Sequence, residues 1–133
     1  MQVYEEKNFK IIIADENTKS RDTMASKLRF LGFHVELATG GFHLIHLFEK
    51  FLDFNLIILS EDMNDMSAEE IMMLVRTKKT KGELPILYIS KISKEDEICE
   101  KVLSGANEYV VKSTNFQPIV DRAVKYFLQA RKS

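Results

Sequence analysis

The chain has 133 residues, 45% of them hydrophobic and 29% charged, with a formal net charge of -1. This is enough for one domain with one core, and the near-neutral balance gives no electrostatic reason to expect nucleic acid or an anionic membrane as partner. A single cysteine, Cys99, excludes an internal disulfide and fits a reducing compartment.

Residues 1–8 are polar and are expected to be a flexible N-terminus ahead of a domain over 9–131. They lack the apolar stretch of a secretory signal, and no run reaches the ~20 apolar residues of a membrane helix. A cytoplasmic location follows as the expectation. Phe9–Ala14 is a β-branched apolar run ending in Asp15-Glu16 and reads as a buried strand. Asn17 caps a helix with Met24, Leu28 and Leu31 at helical spacing, which stops at Gly32. Phe33 to Ala38 is a second strand, Gly40-Gly41 breaks the chain, and Phe42, Ile45, Phe48 and Phe51 mark an amphipathic helix.

Leu56-Ile57-Ile58-Leu59 runs straight into Ser60-Glu61-Asp62 and suits a strand buried on both faces of a parallel sheet. Ser67-Ala68-Glu69-Glu70 is a capping box. The helix it opens turns Ile71, Leu74 and Val75 inward and ends near Lys78, Lys79 and Lys81, where cations complement the helix dipole. Pro85 to Ile89 is a fourth strand ending at Ser90. A fourth helix starts near Ser93, buries Ile98, Val102 and Leu103, and ends at Gly105. Glu108–Val111 is a fifth strand ending at Lys112. Asn115 caps a last helix that tolerates Pro118 in its first turn and buries Ile119, Ala123 and Phe127.

Five strands and five helices in strict alternation predict an α/β fold: a single doubly wound, flavodoxin-like parallel sheet with helices on both faces. The order 2-1-3-4-5 is the common solution for five strands. All carboxyl ends then share one edge, and four of them are polar: Asp15-Glu16, Ser60 with Asp62, Ser90, and Lys112. One polar strand end signifies only solvent. An acid pair, a hydroxyl and a lysine together could hold a divalent metal and a phosphoryl oxygen.

From about Lys10 to Arg131 the sequence resembles the receiver domain of two-component response regulators. Asp15-Glu16 matches the family's acid pair, Ser90 its Ser/Thr after strand 4, and Gly105-Ala106-Asn107-Glu108-Tyr109-Val110-Val111-Lys112 its Gly-Ala-x-x-Tyr-x-x-Lys. The resemblance implies that Asp15 and Glu16 would hold Mg²⁺. It implies that Ser90 and Lys112 would contact a phosphoryl group, and that Tyr109 would be the aromatic whose rotamer couples to activation.

Three departures stand against that frame. Ser60 replaces the phosphoaccepting aspartate, with Met63 and Met66 holding the register. A serine hydroxyl needs a base to attack phosphorus, and its substitution removes a charge that would hold the metal. The family's Lys-Pro is here Lys112-Ser113. Without proline a cis bond costs ~2.5–4 kcal/mol, so the expectation is either a trans bond with a shifted Lys112 or a strained cis bond. The family's loop Pro and Gly are Asn64 and Ala68, which leaves that loop less constrained. Asp62 could restore part of the lost charge, although a solvated loop aspartate is the plainer reading.

His34, His43 and His46 lack further ligands at metal spacing, Gly40-Gly41 lacks the P-loop pattern, and nothing near Cys99 argues for a reactive thiol. The leading expectation is a pseudo-receiver that is not an enzyme and signals through protein contacts without aspartyl phosphorylation. It requires no cofactor, with Mg²⁺ binding weakened by the loss of the acceptor. The resemblance places its contact face on Lys91, Ile92, Lys94, Glu95, Tyr109, Lys112 and part of the 116–131 helix. Its partner would be a histidine kinase-like or output protein, or a second copy. The rivals are a phosphorylatable receiver using Ser60 or Asp62 with metal held by Asp15 and Glu16, and a small phosphate-ligand binder on the same edge. Without a DNA-binding segment after the last helix, output is expected from a partner or a longer parent chain.

Overall fold

The apolar runs build the sheet. In the computed structural model, which describes residues 9–91, 95–96, 100 and 105–131, the strands are β1 Lys10–Ala14, β2 His34–Ala38, β3 Leu56–Ser60, β4 Ile86–Ser90 and β5 Glu108–Val111. All neighbours pair in parallel, as the alternation predicts, in the order β2-β1-β3-β4-β5, the common solution for five strands. Every residue of β3 and β4 is buried, which is why these strands read as continuous apolar runs rather than alternating ones.

Side chains alternate between the two faces of the sheet. Ile11, Ile13, Ile58, Leu87, Ile89 and Val110 pack with helix α1 (Thr18–Phe30) and helix α4 (Gln117–Arg131). Phe9, Phe33 and Phe127 form a ring triad there, with centroids 5.4 to 5.8 Å apart. Ile12, Ala14, Ile57, Leu59, Ile86 and Tyr88 pack on the opposite face with helix α2 (Gly41–Lys50) and helix α3 (Ala68–Arg76). Truncating any of the fully buried aliphatic side chains to alanine costs roughly 2–5 kcal/mol.

Helix phase departs from expectation in two places. In α2 the buried residues are Gly41, Leu44 and Phe48, while Phe42 and Phe51 are exposed. Gly41 sets this phase: a Cβ there would stand 2.7 Å from the Met66 Cβ, so glycine lets the helix start pack against the loop before α3. In α3, Ala68, Ile71, Met72 and Val75 face inward at the i, i+3, i+4, i+7 positions and Leu74 is exposed.

The capping signals were nearly complete. The Asn17 and Ser67 side chains accept the N–H groups of Ser20 and Glu70, and Gly32, at φ 99°, ends α1. Asn115 sits one residue too early to be the cap of α4. Its Oδ1 accepts the Gln117 N–H at 3.0 Å, and the Phe116 carbonyl takes the first helical bonds.

Four helices are described rather than the five expected. The expected fourth helix falls mostly outside the described residues; within its span only 95, 96 and 100 are described, and these are helical, while residues 1–8 lie outside altogether. No described helix is long and apolar enough to cross a membrane.

Arg76, to which the sequence assigned no role, ties the layers together. Its guanidinium donates to the carbonyls of Gly105, Leu84, Lys79 and Thr80 and to Asn107 Oδ1. Asn107 in turn accepts the Ile86 N–H and donates to the Lys81 carbonyl. The end of α3, the start of β4 and the turn before β5 are thereby fixed to one another.

Candidate functional site

The parallel sheet delivers Asp15, Ser60, Ser90 and Lys112 to one edge, at the switch point between β1 and β3. Asp15, Ser60 and Ser90 are buried there, so each must find its hydrogen bonds within the protein.

Lys112 occupies the centre. Its Nζ lies 3.2 Å from Asp15 Oδ2, 2.5 Å from Asp62 Oδ2 and 3.5 Å from Ser60 Oγ. Its side chain is only 7% exposed. Burial alone would lower the lysine pKa, but the bonds and charges of Asp62 and Asp15 outweigh it and hold the ammonium above its usual range. Asp15 moves the other way from a surface salt-bridged carboxylate. Removal from water raises its pKa, and the Asn17 N–H at 2.8 Å and Lys112 offset only part of that. Asp62 is therefore a structural partner of Lys112, and the reading of it as a solvated loop aspartate is corrected.

Ser60 ends β3 in register with Ile89 of β4. Its Oγ faces two donors, the Asp62 N–H at 3.3 Å and the Lys112 ammonium. Among the described residues its Oγ makes no hydrogen bond to a carboxylate or imidazole.

The expected acid pair does not act as a pair. Glu16 turns to the loop after β3, where its carboxylate accepts the Asn64 N–H and, at 3.1 Å, the Asn64 Nδ2–H. Asn64 stands where the family resemblance expects proline, and its N–H makes this contact available. Ser90 also turns from the centre. Its hydroxyl donates to Glu61 Oε2, and Glu61 Oε1 accepts the Lys91 N–H at 2.7 Å. Glu61 had no assigned role. The signal was present in the sequence as two acids directly following the serine that replaces an acid.

The residues present do not fit a divalent metal as arranged. Asp15 and Asp62 share the Lys112 ammonium, Glu16 is engaged by Asn64, and residue 60 is neutral. Among the described residues no group of three acidic, histidine or cysteine side chains could hold a metal ion.

Tyr109 lies in register with Tyr88, and the two rings are 5.7 Å apart at 54°. The Tyr109 hydroxyl is buried and has no hydrogen-bond partner among the described residues. Burial, then the Glu61 carboxylate, pushes the Tyr88 phenol up to about 12. Lys91 and Glu95 are exposed, whereas Ile92 and Lys94 of the expected contact face lie outside the described residues. The Lys112–Ser113 bond is trans, as are the other described peptide bonds, and Lys112 reaches the pocket from it.

A doubly wound parallel sheet in this strand order, with a buried aspartate, a hydroxyl and a lysine at its switch point, defines a flavodoxin-like α/β domain. The family model for the response regulator receiver domain matches residues 11–124. The chain belongs to that family. It is a receiver domain of the kind two-component response regulators use in signal transduction. Chemotaxis protein CheY-3 of Vibrio cholerae is 27% identical over 128 residues, spanning 96% of this chain and 98% of that one. A two-component response regulator of Clostridium difficile superposes with a TM-score of 0.82 at 24% identity, covering 94% of this chain and 99% of its own. The receiver domain of Saccharomyces cerevisiae Ssk1, in complex with the histidine phosphotransfer protein Ypd1, superposes at 0.82 with 16% identity, covering 92% and 91%.

Proposed function

We propose that this receiver domain works by protein contacts alone, without aspartyl phosphorylation, without a required metal and without an enzymatic reaction of its own. The observation that carries this reading is the environment of Ser60. It is fully buried, its oxygen faces two donors, and the lysine beside it is paired with Asp15 and Asp62. A hydroxyl needs a base to become a nucleophile, and among the described residues no carboxylate or imidazole is hydrogen-bonded to this one.

The partner is another signalling protein or a second copy of the chain, met on the face that includes the exposed Lys91, Glu95 and Val111. The Ssk1 receiver sets the precedent of a receiver fold held by a phosphotransfer protein. A net charge of -1 disfavours nucleic acid, and the cytoplasm is the compartment that fits the lone cysteine.

The test is incubation with a small-molecule phosphodonor and Mg²⁺, followed by intact-mass measurement. No phosphoryl increment is expected, and a stable phosphate on Ser60 would overturn the reading. Asp62, one-third exposed and bonded to Lys112, is the alternative acceptor. A labile acyl phosphate that disappears in Asp62→Asn would assign the role to it.

A further inference from the structure

At the end of β4 two donors point the same way. The Ser90 side chain is buried, with its hydroxyl aimed at the loop after β3, and the next backbone N–H, that of Lys91, aims at the same place. Adjacent hydroxyl and N–H donors at a sheet edge form a seat for an oxyanion, because two oxygens of one anion can take both bonds. Both are occupied by the chain's own Glu61, one carboxylate oxygen to each donor.

The Glu61 backbone N–H is itself bonded to the Ile89 carbonyl at 2.9 Å, so the residue is clamped to β4 by main chain and side chain together. Its neighbour Asp62 takes the remaining strong donor of the edge, the Lys112 ammonium. The loop after β3 thus covers the donors of β4 and β5 with two consecutive carboxylates.

We propose that Glu61 is an internal ligand. It fills the Ser90–Lys91 oxyanion seat from within and keeps free tetrahedral oxyanions out. This deepens the reading of a domain that works without phosphorylation and rests on it, since a permanently seated carboxylate leaves the edge in one state. A carboxylate supplied by the chain has no association entropy to lose, so a free anion must displace a preorganised competitor.

The test uses inorganic phosphate as the probe and the backbone amide of Lys91 as the reporter, by NMR titration of the full chain. Glu61→Ala is expected to bind phosphate at least about tenfold more tightly than wild type, with a saturable Lys91 shift. Glu49→Ala removes the same charge from the end of α2, at the opposite edge of the sheet, and is expected to behave as wild type. Glu61→Gln keeps the shape of the side chain and covers the case in which the alanine variant fails to fold. It is expected to move the Lys91 amide resonance even without phosphate.

The proposal is overturned if Glu61→Ala binds phosphate within about twofold of wild type and Glu49→Ala, or if Glu61→Gln leaves the Lys91 amide unmoved. Both readouts concern reversible binding to unmodified protein. A covalent label would sink the preceding reading while leaving these results to be judged on their own.

Discussion

Lys112 Nζ stands 2.5 Å from Asp62 Oδ2 and 3.2 Å from Asp15 Oδ2, so one ammonium serves two carboxylates from different loops. Asp15 is wholly buried, and removing the lysine would leave its charge unpaired. Lys112→Met is therefore expected to lose roughly 3–5 kcal/mol of stability in urea denaturation. Asp15→Asn in the same chain should recover part of that loss.

The pH dependence of this pair follows from its directions. Asp15 has a folded-state pKa raised above 3.8 by burial, so the folded state holds its proton more tightly than the unfolded chain does. Its contribution is complete below 3.8 and is lost as pH rises through the higher folded value. Without Lys112 the folded value rises further, and the Lys112→Met deficit should shrink as pH falls from 7 towards 4. A deficit independent of pH would contradict this assignment.

Asp65 caps α2 from a distant loop, its two oxygens accepting the N–H groups of Gly41 and Phe42 at 2.9 and 3.2 Å. The Gly41 bond is the largest cause of its lowered pKa. The stabilisation is present above 3.8 and is lost as pH falls through the lower folded value. Asp65→Ala is expected to cost about 0.5–2 kcal/mol at neutral pH and to flatten the acid limb of the stability profile, both read by denaturation at stepped pH.

Arg76 tests the structural tie between α3, β4 and β5. Lysine cannot reproduce its fork of donors, so Arg76→Lys should cost roughly 2–4 kcal/mol by leaving the Gly105 and Leu84 carbonyls short of partners. Thermal unfolding would show it.

The Tyr109 hydroxyl is buried and finds no partner among the described residues. Tyr109→Phe should raise stability by about 1 kcal/mol, because it removes a polar group that lost its hydration without compensation. Destabilisation by the same change would reveal a hydrogen bond to this hydroxyl.

Tyr88 supplies an alkaline test. Burial first, with Glu61 adding to it, pushes its phenol up to about 12 from 10.0. The folded state then keeps a proton that the unfolded chain has released, so its contribution is complete below 10 and is lost as pH rises to 12. Stability should fall over that window, and less steeply in Tyr88→Phe, with phenolate absorbance following the transition.

Much of the architecture was legible because burial on both faces leaves a signature that depends only on composition along the chain. Leu56–Leu59 and Ile11–Ala14 could be placed in a parallel sheet without knowing their neighbours, and the sheet's parallel sense then brought Asp15, Ser60, Ser90 and Lys112 to one edge. Helix phase was less legible. Phe42 and Leu74 read as core residues by type, yet the contacts of Gly41 and Ala68 with the rest of the domain rotate them outward. Glu16 and Glu61 were legible as acids near the edge but not as to their partners. A carboxylate chooses among donors within a few ångströms, and the path of the loop after β3 decides which donors those are.

The order of apolar runs and breaks, read alone, determined the parallel alternating sheet and the edge that carries the polar strand ends, because these follow from hydrophobic burial and strand direction. The strand order came from the common five-strand solution, and the meaning of Ser60 from the family resemblance. Only the tertiary structure decided how the charges pair. Lys112 went to Asp15 and Asp62, Glu16 to Asn64, and Glu61 to Ser90 and Lys91. Electrostatic pairing depends on separations between side chains distant in sequence, and those separations exist only once the loops are closed.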